Sequence, residues 1–494
     1  MQRIGKGTGM GAKRLLAAPL LLLSAPGLAP VALAQSPGTF TTTGSMGMPR
    51  TDHTATLLLN GKVLICGGST SGRSAELYDP ASGTFTTTGE MTMDRWNHTA
   101  TLLPDGIVLI AGGGYAAEHT APASSEVYDP ATGVFTATAS MMAARRHHTA
   151  TLLRNGKVLI SGGWGRLGPQ IPGYSRWASA ELYDPATGAF SSTGEMRAER
   201  LAHTATLLAD GKVLITSGEG QHDGAIPWVE LYDPGTGAFH PGGEVGSSDT
   251  VGPQTVSLLT SGRVLVGLTN PYNVPTNGAK LYDPATATFA DTGNMRAARA
   301  VSAGVLLATG KVLLTGYAQG SGSAEVYDPA SGAFLATGEM VTPRGGHTAT
   351  LLSDGTVLIS GGSTGSNRLV SAELYHPDAR IPAPILLSLV GNRQGQGAIQ
   401  HGSTYQVVSP DNPAVAGEIL VIYCTGLADG SVIPPQIAIG GRMAEIMWFG
   451  KTTGYEGLNQ VNVRMPSGVM PGSAVPVRLT YIGRPSNEVT IGVR

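Results

Sequence analysis

Cysteine is nearly absent. Two residues, Cys66 and Cys424, in a chain of 494 rule out a disulfide framework. Both lie in apolar runs, VLICGG and ILVIYCTG, and read as small buried core residues. Charge is sparse too. Asp, Glu, Lys and Arg make up 13% of the chain. Without residues 1–34, which carry four positive charges, 28 basic residues face 34 acidic ones, a formal −6. With no basic run, such a chain is a poor partner for nucleic acid. After the first 34 residues no apolar run approaches the ~20 residues that span a bilayer, and no long amphipathic helical pattern occurs. Glycine, by contrast, is abundant: its 70 residues are roughly double the usual ~7% share. Glycine-rich turns at regular intervals, few charges and no helical period imply an all-β protein.

The first residues read as a secretory signal peptide. Arg3, Lys6, Lys13 and Arg14 form a basic region, Leu15–Leu23 an apolar core, and Ala32-Leu33-Ala34 a cleavage site before Gln35. Pro19, Pro26 and Pro30 weaken the competing reading, a membrane anchor. The expected location is secreted, periplasmic or cell-surface, with no membrane span after cleavage.

An internal repeat dominates the chain from residue 38 to residue 377. HTATLLLNGKVLICGG (53–68) returns at 98–113, 148–163, 203–218 and 347–362. Each copy continues through ELYDP or a relative to G-x-F and then a methionine. The tyrosines are Tyr78, Tyr128, Tyr183, Tyr232, Tyr282, Tyr327 and Tyr375; seven of the eight phenylalanines hold one repeat position. Four strand signals recur per copy: HTATLL, KVLI, SAELY and TFTTTG. Asn-Gly or Asp-Gly pairs such as Asn60-Gly61 predict type I′ hairpins between the first two, and D-P-A-[ST]-G a turn between the last two. Small residues fill the first strand, as a crowded innermost position requires, and Tyr and Phe fill the outer ones. Seven four-stranded units therefore predict a β-propeller. The chain begins with a spare fourth strand (39–43), and its last copy, ELYHP, lacks one. Pairing the two closes the ring and covers two sheet edges.

The pattern R-x-x-H…G-K-V-L-I-x-G-G…E-L-Y-D-P…F…M resembles the kelch repeat. Over residues 38–377 it is similar to the central propeller of the galactose oxidase superfamily. After Arg380 the rhythm stops, and strand-like runs from 417 to 493 suggest a β-sandwich. Their order resembles the immunoglobulin-like Solibacter-type C-terminal domain of secreted bacterial proteins, which implies no chemistry. The expected organisation is a signal peptide (1–34), a seven-bladed kelch propeller (35–380), a linker and domain entry (381–404) and an Ig-like sandwich (405–494).

The histidines His53, His98, His148, His203 and His347 share one repeat position, with Gln254 and Ser302 in the other two copies. An arginine stands three residues earlier in six copies. One reaction needs one placed acid or base, so a residue repeated around a ring reads as scaffold, hydrogen-bonded to backbone near the axis. A ring of His and Arg that binds an anion is the competing reading. The glycine pairs end a strand with no helix after them, which argues against a phosphate loop. The resemblance implies copper held by two tyrosines and two histidines, one tyrosine crosslinked to a cysteine. Where relatives carry that cysteine this chain has Asp52-His53. Where they carry the crosslinked tyrosine it has Asn97-His98, and their last Tyr-His pair is Gly346-His347. No catalytic residue, metal ligand or cofactor is therefore assigned.

The loops between second and third strands are long and aromatic in copies two to five. They carry Tyr115, then Trp164, Arg166, Tyr174 and Trp177, then His222, Asp223 and Trp228, then Tyr272; Trp96 lies in an interblade loop on the same face. Loops on a rigid ring are where function concentrates, and Trp, Tyr and Arg anchor binding surfaces. These aromatics could instead fold down over their own loops. The expectation is a secreted non-catalytic protein that binds a glycan or an extracellular protein through this rim. The alternative is a secreted sugar-acting enzyme, either a copper oxidase of galactose oxidase type or a kelch-type sugar isomerase.

Overall fold

The computed structural model describes residues 38–69, 71–114, 123–166, 174–220, 226–245, 250–269, 275–298, 300–317 and 322–494. It is all-β, with no helix among these residues and every strand pair antiparallel. The signal-like segment lies outside them.

Residues 39–376 form seven four-stranded sheets. Sheet one orders Thr54–Leu57, Val63–Cys66, Ala75–Asp79 and Thr84–Thr87 from inside out. Sheets two to six repeat that order, with first strands at Thr99–Leu102, Thr149–Leu152, Thr204–Leu207, Thr250–Leu258 and Ala300–Leu306. In sheet seven, Thr348–Leu351, Val357–Ser360 and Ala372–His376 are completed by the N-terminal strand Thr39–Thr42, with Phe40 opposite Tyr375. Each first strand touches those of the two adjacent sheets, and the seventh touches the first, so the inner strands form a closed ring.

Two layers of side chains join the sheets. Outside, each tyrosine packs on the phenylalanine across its own sheet, with ring centroids 4.7–5.0 Å apart, worth about 0.5–1.5 kcal/mol beyond area burial. Six of their hydroxyls bond a threonine late in, or just after, the fourth strand of the preceding sheet, as in Tyr128–Thr88 at 2.9 Å. Tyr282 donates to the Gly242 carbonyl instead. Between the sheets, second-strand residues such as Val63–Cys66 are fully buried. Both cysteines are free and buried, and burial pushes the Cys66 thiol up to about 11.

The hairpin turns differ from expectation. Of the pair Asn60-Gly61 only the glycine takes a positive φ, 82°. Gly61 N–H donates to Leu58 O and Leu58 N–H to Lys62 O, at 3.0 and 2.8 Å. This is a three-residue loop, a type I turn closed by a bulged glycine, rather than type I′. The Asn60 side chain favours it by accepting from Lys62 N–H at 3.0 Å. Asp105, Asn155, Asp210 and Asp354 do the same.

Residues 385–493 form two five-stranded sheets around one apolar core that includes Leu420, Ile437, Val461 and Val477. They meet the ring on its hairpin-turn face, where Val432 N–H donates to Thr260 O and Ala383 N–H to Ser353 O. A cavity of about 710 Å³ between them is lined by Leu152, Leu207, Leu258, Met443 and Ile482, among others. The loops between second and third strands open on the opposite face of the ring.

Candidate functional site

The repeated polar residues hold the ring together. Arg50, Arg95, Arg145, Arg200 and Arg344 are buried and pair with Glu76, Glu126, Glu181, Glu230 and Glu373 at 2.7–2.9 Å. Each guanidinium also donates to the carbonyl of the residue just past its sheet's second strand, as in Arg50 to Gly67 O at 2.8 Å. Each histidine reaches back to the preceding sheet and shares a hydrogen bond with a threonine there. The pairs are His53–Thr348, His98–Thr54, His148–Thr99, His203–Thr149 and His347–Thr315, at 2.8–3.1 Å. Burial, then the neighbouring arginine, drives His53, His98, His203 and His347 down to about 3 and keeps them neutral.

The glycine pairs make room for these imidazoles. A Cβ at the first glycine would clash with the histidine of the next sheet: at Gly112 it would lie 2.8 Å from His148 Cε1. A Cβ at the second would clash with its own sheet's histidine: at Gly113 it would lie 2.8 Å from His98 Cβ. The exceptions obey the same rule. Sheet four, before Gln254, has Ser217 in the first place and keeps Gly218 beside His203. Sheet five has neither glycine, and sheet six keeps only Gly316, whose following sheet carries His347. Gly361 of sheet seven packs on His53 of sheet one.

Between each arginine and histidine stand two residues that do not repeat: Thr51-Asp52, Trp96-Asn97, Arg146-His147, Leu201-Ala202 and Gly345-Gly346 in the sheets with a ring histidine. The second of each pair is left-handed: Asp52, Asn97, His147, Ala202 and Gly346 have φ of 52–63°. For a non-glycine this costs about 1–3 kcal/mol. Their backbones link head to tail around the axis. Asn97 N–H donates to Asp52 O, His147 N–H to Asn97 O and Ala202 N–H to His147 O, at 3.2, 3.1 and 2.9 Å. Asp52 is exposed, and Asn97 and His147 are half-buried. A Cβ built on Gly346 would meet no atom within 4 Å, so this position gives onto open space. Burial and then the Arg146 guanidinium hold His147 below the ordinary imidazole value, while the Asp52 carboxylate pulls it back up. Three successive sheets thus bring a carboxylate (Asp52), an amide (Asn97) and an imidazole (His147) to the axial mouth, where Thr51 Oγ1 donates to Asp52 Oδ2 at 3.0 Å.

The loop rim shares this face: Trp96, Arg146, Leu201 and Gly345 bridge to Gly114, Trp164, Glu219 and Ser363, which open the second-to-third loops. A short hairpin, Trp164–Arg166 with Tyr174–Arg176, brings Trp164 opposite Arg176 and Arg166 opposite Tyr174. All four described tryptophans of the rim are half-buried against local partners. Arg146 lies over Trp164 at 4.1 Å, Trp177 Nε1 donates to Ala144 O at 3.0 Å, and Arg197 lies over Trp228 at 5.7 Å. Trp96 packs on Gly72. Tyr115, His222, Asp223 and Tyr272 lie outside the described residues, and Arg166 and Tyr174 are described in backbone only. The sequence reading missed Asp52, Asn97 and His147 as a site. The signal was there: they are the places where a near-perfect repeat stops repeating.

No protein-family description matches the chain, and no curated protein does. Among solved structures it is similar to a novel fungal alcohol oxidase with catalytic diversity among the AA5 family, in complex with copper. The TM-score is 0.55 and the identity 16%, over 93% of this chain and 99% of that one. This supports a galactose oxidase-like fold. It also corrects the expectation of a non-catalytic glycan- or protein-binding protein, and with it the lean away from an enzyme, because the fold from end to end is one that carries an alcohol oxidase. Physically, the loop aromatics that suggested a binding rim are half-buried on local partners, while the unrepeated polar groups gather at the axis. Copper itself does not fit the residues described at the mouth. Asp52, Asn97 and Gly346 stand where tyrosine and cysteine would be needed, and the ring histidines are bound to hydroxyls. Among the described residues no three His, Cys, Asp or Glu side chains group as a metal site. No described helix is long and apolar enough to cross a membrane.

Proposed function

We propose that this chain is an exported enzyme acting on a sugar or another alcohol at the axial mouth of a seven-bladed kelch propeller. In this reading residues 1–34 are the signal peptide, 35–380 the propeller, and 405–494 an Ig-like sandwich entered through 381–404. The observation that carries the reading is the end-to-end likeness to an alcohol oxidase. The unrepeated polar mouth on the loop-bearing side of the ring supports it. Trp164 and Trp177 are then the rim side chains along which a sugar ring approaches.

The test incubates the purified chain with a panel of aldoses and primary alcohols, with and without added copper. Peroxide is read by a coupled assay and product by proton NMR. Turnover of at least one panel member is expected. If no substrate changes under either condition, the enzyme reading is wrong.

A further inference from the structure

We infer that the C-terminal sandwich carries a binding face of its own for a neutral glycan, built from the indole of Trp448, the amides of Gln460 and Asn462 and the ring of Tyr423. The face lies outside the propeller, and the inference stands whatever reaction the axial mouth carries.

Strand register puts these side chains together. One sheet of the sandwich runs Ile419–Thr425, Asn459–Arg464, Glu445–Lys451, with the last at its edge. Gln460 pairs with Tyr423 on one side and Gly450 on the other, and Asn462 pairs with Val421 and Trp448. Side chains alternate between the two faces of a strand. Leu420, Ile422, Val461 and Val463 enter the core, so Tyr423, Gln460, Asn462 and Trp448 share the outer face. The middle strand thus sets two amides between two aromatics. At about 4.8 Å per strand the flanking strands stand about 10 Å apart, the span of a disaccharide.

The indole lies flat. A Cβ built on Gly450 would sit 3.1 Å from Trp448 Cζ2 and 3.2 Å from Cη2. The ring therefore covers Gly450, beside Gln460, and the residue keeps 46% of its surface exposed. Gly450 is not among the glycines with positive φ, so its missing side chain makes room for the indole rather than for a turn. Gln460 Nε2 donates to Asn462 Oδ1 at 2.7 Å. That bond fixes both amides and leaves the Gln460 oxygen and the Asn462 NH2 for a ligand.

The chemistry selects the occupant. A pyranose with equatorial hydroxyls has a C–H face that packs on an indole and a rim of hydroxyls that both donate and accept, as amides do. The charges at the two ends of the edge strand are already paired, Glu445 with Arg464 at 3.0 Å and Lys451 with Asp429 at 2.8 Å. The strip between them is neutral, which favours an uncharged ligand. The competing occupant of a sheet edge is another strand. Here Met447 is an extra residue that bulges the edge strand, and charged residues stand at both its ends, two features that blunt an edge against strand addition.

The experiment is affinity electrophoresis of the full chain in gels that contain hydroxyethyl cellulose, mixed-linkage β-glucan or galactomannan, with polygalacturonate as the charged comparison. At least one neutral glycan is expected to retard the protein. Trp448→Ala should weaken that binding at least tenfold and Gly450→Ala, which lifts the indole, several-fold, both with an unchanged thermal midpoint. Should Trp448→Ala lower the midpoint, Gln460→Ala decides in its place, again with a several-fold loss expected. Retardation by no neutral glycan, or by polygalacturonate alone, overturns the inference. So does binding that survives these variants, or binding lost in Trp164→Ala instead. The assay reads binding without turnover, so its failure leaves the enzyme reading to its own test.

Discussion

Sheets one to four and seven differ from sheets five and six in one coupled set of residues. The first group carries the arginine–glutamate pair, the histidine and the glycines that fit around it. Sheet five has Val251, Gln254 and Lys280 in those places, while sheet six keeps Arg299 and Glu325 but has Ser302 for the histidine. The backbone answers at once. In the first group the second strand ends where positive-φ residues begin, as at Cys66 before Gly67 and Gly68. In sheets five and six it runs on through Val264–Thr269 and Val312–Tyr317, and the first strand lengthens to nine and seven residues. The histidine and the positive-φ residues that fit around it thus end the second strand early. The mouth residues Asp52, Asn97 and His147 exist only where that arrangement turns the chain.

Sheet seven has four strands only because residues 39–42 complete it. Deleting residues 35–46 should therefore have the largest effect, a loss of cooperative thermal unfolding as two sheet edges open. An unchanged midpoint would break the ring-closure argument. Acid should come next. The folded histidines sit at about 3 against 6.5 when exposed. Their contribution is whole above about pH 6.5 and is lost as pH falls below it, because the unfolded chain takes up protons first. At pH 5 each withdraws about 2 kcal/mol. Urea midpoints at pH 7 and 5 measure this, and His98→Gln, which copies sheet five, should remove one histidine's share of the difference. Arg95→Ala strands Glu126 without its buried partner and should cost about 3–5 kcal/mol. Lys280→Ala in sheet five loses only a contact to exposed Asp291 and should cost about 0–1 kcal/mol. Denaturant titration of the two variants sets the groups against each other. The smallest contrast is between glycine sites. Gly112→Ala meets His148 and a φ of 60° and should cost about 1–3 kcal/mol. Ser217→Ala faces no ring histidine and should be close to neutral.

Much of the fold was legible because each copy of the repeat states it again. Phe40 could be assigned to the last sheet from its spacing alone, and it lies opposite Tyr375. The scaffold role of the histidines followed from their number. The turns were less legible, since Asn-Gly suits both I′ and bulged type I loops, and the Asn60 side-chain bond selects the second. The site was least legible. Aromatic loops drew attention because large side chains are conspicuous in a sequence. Asp52, Asn97 and His147 lie 45 and 50 residues apart and become neighbours only when the ring closes.

By itself, then, the sequence determined the unit, its number and its strand order, because those depend on local pattern: turn glycines, apolar runs, one tyrosine and one phenylalanine per copy. The arginine–glutamate hub, the pairing of the first glycine with a histidine one sheet away, and the meeting of a carboxylate, an amide and an imidazole at the axis were decided by tertiary structure alone. The first joins distant parts of one copy and the other two join neighbouring sheets, so all three are set by the packing of the folded units rather than by any one stretch of chain.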